Sequence, residues 1–261
     1  MRRRVTLFAL LFGLTNLILS EALADMHGAS SSSVFAERIQ AAMDDAGRPA
    51  KDKARDANRL PKETLAFFGV ESDQRVLELL PGGGWYTRLL APALDASGQL
   101  YLAFAGRMSD EIKAEPFMKK VEFLEVDAPF EETDHPGIFD VRPFEFGVED
   151  LDAVLTFRNL HNMTPTARAS ANEAVFDALA PGGVYGVIDH TRRHNEPSDA
   201  DNWRRLDPVV VIHEIEAAGF VFEASSDLHA RPGDSLELEV GDEAVTGRTD
   251  RFTLKFRKPK T

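Results

Sequence analysis

Cysteine is absent from this 261-residue chain. That excludes any disulfide and any lipid anchor on an N-terminal cysteine, and it suits an oxidising compartment without requiring one. Positive charge is scarce as well: 30 Lys and Arg stand against 43 Asp and Glu, for a formal net charge of −13. A nucleic-acid binder carries a basic patch or stripe, so this balance argues against DNA or RNA as a partner. It argues equally against docking on anionic lipid. Solubility is the plain reason for the acidity. No internal repeat is visible, no low-complexity tract extends beyond Ser30 to Ser33, and nothing signals an oligomeric state.

Long apolar runs are missing except at the start. Arg2, Arg3 and Arg4 precede a mostly apolar stretch from Val5 to Leu19, and Ala22-Leu23-Ala24 forms a small-x-small site. The pattern predicts an export signal, residues 1–24, cleaved after Ala24. The apolar stretch is short for a membrane span, so a periplasmic or secreted protein with no stable anchor is expected. Its removal would take the net charge to −15. Arg3-Arg4 before Val5-Thr6-Leu7-Phe8 loosely resembles a twin-arginine signal, while an ordinary Sec signal is the simpler reading.

With 43% hydrophobic residues, the remainder can bury one good core, and a single α/β domain is the natural reading. Residues 25–54 read as an N-terminal leader and helix, with apolar positions 35, 39, 42 and 43 at helical period; the domain proper spans 55–261. Lys51 to Arg59 is a further helix or a linker. Pro61 and Gly69 bracket a short helix. From Val76 onward, strands and helices alternate, which predicts a parallel sheet with crossover helices. The second strand is expected at Gln99–Phe104 and the third at Val121–Val126. Thr164-Pro165 and Asp207-Pro208 each open a helix, the second ending at Gly219. Phe220–Ala224 and Arg251–Phe256 should close the sheet with one antiparallel strand. Residues 128–150 are too long for a plain connection and read as an insertion near the mouth of the site.

The most informative stretch is Arg75-Val-Leu-Glu-Leu-Leu-Pro-Gly-Gly-Gly-Trp-Tyr-Thr87. Its apolar run suits a strand buried on both faces, and Pro81 stops it. Gly82, Gly83 and Gly84 then allow a sharp turn against which a ligand can pack directly, and a helix begins after them. The dinucleotide fingerprint Gly-x-Gly-x-x-Gly fits badly, since the glycines are contiguous. Two further strings stand downstream. Leu151-Asp-Ala-Val-Leu-Thr-Phe-Arg-Asn-Leu-His-Asn162 is a buried strand ending in polar groups, and Leu179-Ala-Pro-Gly-Gly-Val-Tyr-Gly-Val-Ile-Asp-His190 is a turn into another strand.

Together these strings resemble the class I S-adenosylmethionine (SAM)-dependent methyltransferases. In particular they resemble a group of bacterial predicted methyltransferases, often exported, with a Pro-Gly-Gly-Gly-Trp-Tyr loop. The resemblance covers roughly residues 55–259. It implies a Rossmann-like fold, a mostly parallel seven-stranded sheet with helices on both faces, and SAM as cofactor. It makes Glu78 the acid that helps hold the methionine part, with Pro81, Gly82, Gly83 and Gly84 forming the loop. Leu80 stands where the first glycine of the motif belongs. Asp127 falls where related enzymes bond the adenine amino group, though a carboxylate after a strand is also ordinary turn chemistry.

No acid ends the second strand, where related enzymes take the ribose hydroxyls. Phe104-Ala-Gly-Arg107 stands there instead, and Asp110 and Glu111 come later. Arg158, Asn159, His161 and Asn162 crowd the end of the fourth strand, beside the transferring methyl in the related fold. Helix capping would account for them; alternatively Arg158 and Asn159 line the cofactor and His161 is a general base for a hydroxyl or amine. Asp189, His190 and His194 lie on one loop with no cysteine, so no metal is expected. His213 reads as a surface or core-edge residue. The resemblance thus implies a SAM-dependent methyltransferase with a small-molecule substrate. An exported binding protein that keeps the fold without catalysis is the alternative.

Overall fold

A computed structural model describes residues 33–260. The expected export signal and the first residues after it lie outside the described residues. Helix α1, residues 33–44, carries Phe35 and Ile39 into a core shared with Leu65, Leu89 and Leu90. The segment that the sequence sets apart from the domain therefore packs into its core from residue 33 onward. The stretch from Lys51 to Arg59 is two single-turn helices, α2 (Ala50–Lys53) and α3 (Asp56–Arg59). Leu60, left-handed at φ 42°, turns the chain into α4 (Pro61–Phe68). Pro61 opens that helix, and Gly69 ends it in the left-handed region, as the bracketing residues predict.

Strand β1 (Arg75–Leu79) leads through the glycine loop into α5 (Thr87–Ala93) and then β2 (Gln99–Ala103). A short helix α6 (Asp110–Lys113) precedes β3 (Val121–Leu124). Residues 128–150 hold a two-stranded ribbon, β4 (Glu131–Glu132) with β5 (Phe139–Asp140). Then come β6 (Leu151–Phe157), α7 (Pro165–Ala178), β7 (Leu179–His190), α8 (Pro208–Ala217), β8 (Val221–Ser226) and β9 (Arg251–Arg257). Thr164 and Asp207 cap α7 and α8 by accepting from Ala167 and Val209 amides.

The main sheet runs β3-β2-β1-β6-β7-β9-β8. Its first five strands are parallel, while β9 is antiparallel to both neighbours. This is the parallel sheet that the alternation of elements predicts, with the seven strands that the resemblance implies. Several boundaries differ. β2 and β3 end one and two residues early, and β7 begins at Leu179, ahead of the expected Pro-Gly-Gly turn. Leu179 pairs with Leu151 and Val184 with Ala153, so the Pro-Gly-Gly segment is a bulge inside the strand. Glycine is required further on: a Cβ on Gly186 would stand 2.8 Å from Leu155 and 2.9 Å from Phe68. That gap lets α4 press Phe68, fully buried, onto the sheet.

Candidate active site

The carboxyl ends of β1, β2 and β6 share one feature: the next residue has left-handed backbone without being glycine. Leu80 has φ 55°, Phe104 φ 58° and Arg158 φ 64°. Such residues cost of order 1–3 kcal/mol each and gather where geometry serves a site. At Leu80 the reason is plain. It occupies the motif's first glycine position, and its φ of 55° is a left-handed angle that glycine adopts freely.

Behind Leu80 lies a cavity of about 540 Å³ lined by the glycine loop, the ends of β1 and β6, and residues of α2 and α3. Glu78, Pro81, Gly82, Gly83, Arg158 and Asn159 all line it. Gly82 takes φ 57°, and a Cβ on Gly82 or Gly83 would meet nothing within 4 Å. The loop therefore presents bare main chain to open space. Gly84 serves packing instead, since a Cβ there would come 3.1 Å from Met108. Asn159 donates to the Leu79 carbonyl and to Thr156 Oγ1, both at 3.1 Å, which fixes it over the strand ends.

Glu78 is 2% exposed and accepts a 2.6 Å hydrogen bond from Thr87 Oγ1. Burial pushes its carboxyl up to about 7, against the opposing pull of Thr87 and Arg59. Arg59, 6% exposed, stacks 4.4 Å over the Trp85 ring and has no carboxylate partner among the described residues. Desolvation, then the charges of Arg158 and Arg55, bring its guanidinium down to about 8. Its backbone is firmly held, because the Arg59 carbonyl accepts from Thr64 Oγ1, His229 Nε2 and Tyr86 Oη.

Arg59 escaped the sequence reading because those contacts join positions up to 170 apart. The sequence does offer one signal for it, an arginine directly before the left-handed Leu60 and Pro61.

A second cavity, about 770 Å³, shares Leu80, Gly82, Arg107 and Asn159 with the first. Phe104 and the 128–150 insertion wall it, and Phe130 lies 4.9 Å from Phe104 ring to ring. Glu132 is its one carboxylate among the described residues. Asp127 is exposed and lines neither cavity; its neighbour Ala128 faces the second. Asp110 and Glu111 are exposed as well and line neither.

His161 belongs to a third recess, of about 270 Å³, which shares Arg158 with the first cavity and Asn162 with the second. Its Nδ1 lies 2.5 Å from Asp189 Oδ1, and its own amide donates to Oδ2. An ionised carboxylate only accepts, so Nδ1 donates to it, while Nε2 makes no hydrogen bond among the described residues. Asp189 thus pairs with His161, a link between two strand ends that the sequence reading did not make.

His161, Asp189 and His190 could in principle gather on a metal ion, their atoms lying within 4.8 Å of one another. Asp189 is engaged by the His190 amide as well as by His161, and His190 Nδ1 meets Thr249 Oγ1 at 2.9 Å. Arg158 and Arg251 line the same recess. A divalent cation would meet their positive charge. His194 pairs elsewhere, with Asp207 at 2.9 Å, and His213 is exposed as expected.

No family model matches the chain. A relative from Synechocystis sp., described as an uncharacterized methyltransferase, is 30% identical over 161 residues, 62% of this chain and 65% of that protein. The chain therefore spans slightly less than two thirds of this relative. A SAM-dependent methyltransferase from Aquifex aeolicus is 16% identical, with a TM-score of 0.54 over 85% of this chain and 98% of its own. The cyclase SpnF is 18% identical, with a TM-score of 0.53 over 84% and 86%. Human N-acetylserotonin methyltransferase, solved in complex with SAM, is 14% identical, with a TM-score of 0.51 over 86% and 56%. At such identities the likeness speaks for architecture, and the presence of a cyclase shows how loosely chemistry follows it. In strand order, glycine loop and neighbours alike, the chain has the class I SAM-dependent methyltransferase fold.

Proposed function

We propose that the protein is a SAM-dependent methyltransferase acting on a small-molecule acceptor. One juxtaposition carries this reading. The bare glycine loop, with Arg59 and Glu78 beside it, shares Arg158 with the recess that holds the His161–Asp189 pair.

The residues suit SAM at both ends. Open space at Gly82 and Gly83 leaves room for the methionine portion, whose carboxylate would meet Arg59 and whose ammonium would meet Glu78. Phe104 and Phe130 offer aromatic faces to the adenine, and Glu132 can take ribose hydroxyls in place of the missing strand-end acid. The curated relative described as a methyltransferase supports the same reading.

When bound, SAM supplies a methyl group already activated on a positive sulfur. The chain then has to align the acceptor and remove its proton. His161 Nε2 would take the proton given up by the acceptor's O–H or N–H. Asp189 holds the ring in the required tautomer and stabilises the imidazolium that forms.

Incubation of a small-metabolite pool with methyl-labelled SAM tests the proposal. Label is expected in a low-molecular-weight product. His161→Ala should lower the transfer rate about 10²–10⁴-fold with SAM affinity nearly unchanged. Label transferred equally well by His161→Ala would remove the base assignment, and no transfer to any small molecule would overturn the proposal.

A further inference from the structure

This protein normally neutralises its buried arginines with carboxylates. Arg205 pairs with Asp234 at 2.9 Å with both side chains at 0% exposure, and Arg48 and Arg168 reach Asp56 and Glu214 at 2.6 Å. Three arginines at the site have no such partner among the described residues. Arg59 has only the Trp85 and Tyr86 rings under its guanidinium. Arg158 makes no side-chain hydrogen bond among the described residues, although it is half-buried and its backbone is strained at φ 64°. Arg251, 4% exposed, donates only to neutral Asn58, at 3.1 Å to its carbonyl and 2.6 Å to Oδ1, and its Nε has no partner at all.

The three are close enough to repel one another. Arg158 and Arg251 both depress Arg59, and Arg158 depresses Arg251, although burial is the largest influence on each. Asp189, Glu78 and Asp250 are the acids nearby; the first is committed to His161, burial favours the neutral form of the second, and the third accepts from the Arg231 amide. SAM would not restore the balance. Its sulfonium and ammonium outweigh its carboxylate, so it brings a further net positive charge. Leaving buried guanidinium groups uncompensated is costly. The missing negative charge must arrive with something else.

We propose that the recess beside His161 is an anion site, in which Arg158 and Arg251 hold a carboxylate or phosphate group of the acceptor. This assignment rests on the methyltransferase reading for the word acceptor; the anion site itself does not. Arg204, which also lines the recess, is tied to Glu239 and leaves the task to the other two. The geometry of a guanidinium suits both oxyanions, through paired N–H donors. An anionic group anchored there would set the acceptor's nucleophile near His161, and neutral analogues would be rejected because they leave the arginines unpaired.

Calorimetric titration of the full chain with inorganic phosphate, with acetate and with S-adenosylhomocysteine tests this. One anion is expected to bind with single-site stoichiometry, and the tighter of the two identifies the group. Arg158→Gln and Arg251→Gln should each weaken that binding at least tenfold, while Arg142→Gln, at an exposed arginine, leaves it unchanged. Arg251 also braces Asn58, so Arg158→Gln carries the test if the other variant fails to fold. No binding of either anion, or equal binding in all variants, overturns the proposal. S-adenosylhomocysteine binding without anion binding removes the anion site alone. Anion binding without S-adenosylhomocysteine binding removes the methyltransferase reading alone.

Discussion

Glu78 shows at the scale of one residue how a site is held at a cost in stability. Its ordinary carboxyl value is 4.5, and burial in the folded chain raises it to about 7. Between those values the folded state binds the extra proton, so stability is full below pH 4.5 and falls as pH rises toward 7. At pH 8 the penalty is roughly 3 kcal/mol at most. Glu78→Gln, which can still accept from Thr87, should therefore unfold at higher temperature than the wild type at pH 8 and at about the same temperature at pH 4. It should also bind SAM more weakly. A wild-type and variant pair whose melting temperatures differ equally at both pH values would contradict the assignment.

His229 has the opposite sign, lowered from 6.5 to about 4, with burial the main cause. Its contribution is full above pH 6.5 and is lost as pH falls through 4. Glu78 could be picked out in the sequence, because an acid before a glycine loop is a local pattern. Arg59 could not, because its setting depends on Trp85, Thr64 and His229, which come together only in the folded chain.

Among the elements, those with local punctuation were legible. Thr164-Pro165, Asp207-Pro208 and the Pro61–Gly69 bracket each mark a helix through backbone chemistry that acts within a few residues. Strand ends were less legible, since pairing with distant partners decides where a strand stops. The insertion was recognised by its length, but its role comes from its fold. The β4–β5 ribbon places Phe130 against Phe139, 4.3 Å ring to ring, and against Phe104 at the cavity wall. Phe130 is still 41% exposed. A half-exposed aromatic ring contributes little to folding and much to a ligand that covers it. Phe130→Ala should weaken S-adenosylhomocysteine binding about tenfold, a loss of about 1.4 kcal/mol, while moving the melting temperature by only about 2 °C. Unchanged affinity, read by fluorescence or calorimetry, would place the nucleoside elsewhere.

For the molecule as a whole, alternating strands and helices made the parallel sheet legible, and the loop strings gave its seven strands and its helices on both faces through resemblance. Charge was legible only as a total. A net −13 chain conceals two adjoining recesses whose Arg59, Arg158 and Arg251 lack salt-bridge partners among the described residues, and composition cannot reveal such a reversal. It depends on α3, β6 and β9 converging from positions 59, 158 and 251. The fold now gives the glycine loop, rather than any catalytic side chain, the central place in the account. Gly83 is where that claim is most exposed, because it lines the cavity and a Cβ there meets nothing within 4 Å. Calorimetric titration of SAM into the wild type and into Gly83→Val, with melting curves of both, is the most direct measurement. One SAM per chain is expected for the wild type, with loss of binding in Gly83→Val at a nearly unchanged melting temperature. Equal SAM affinity in the two proteins, or none in the wild type, would contradict it.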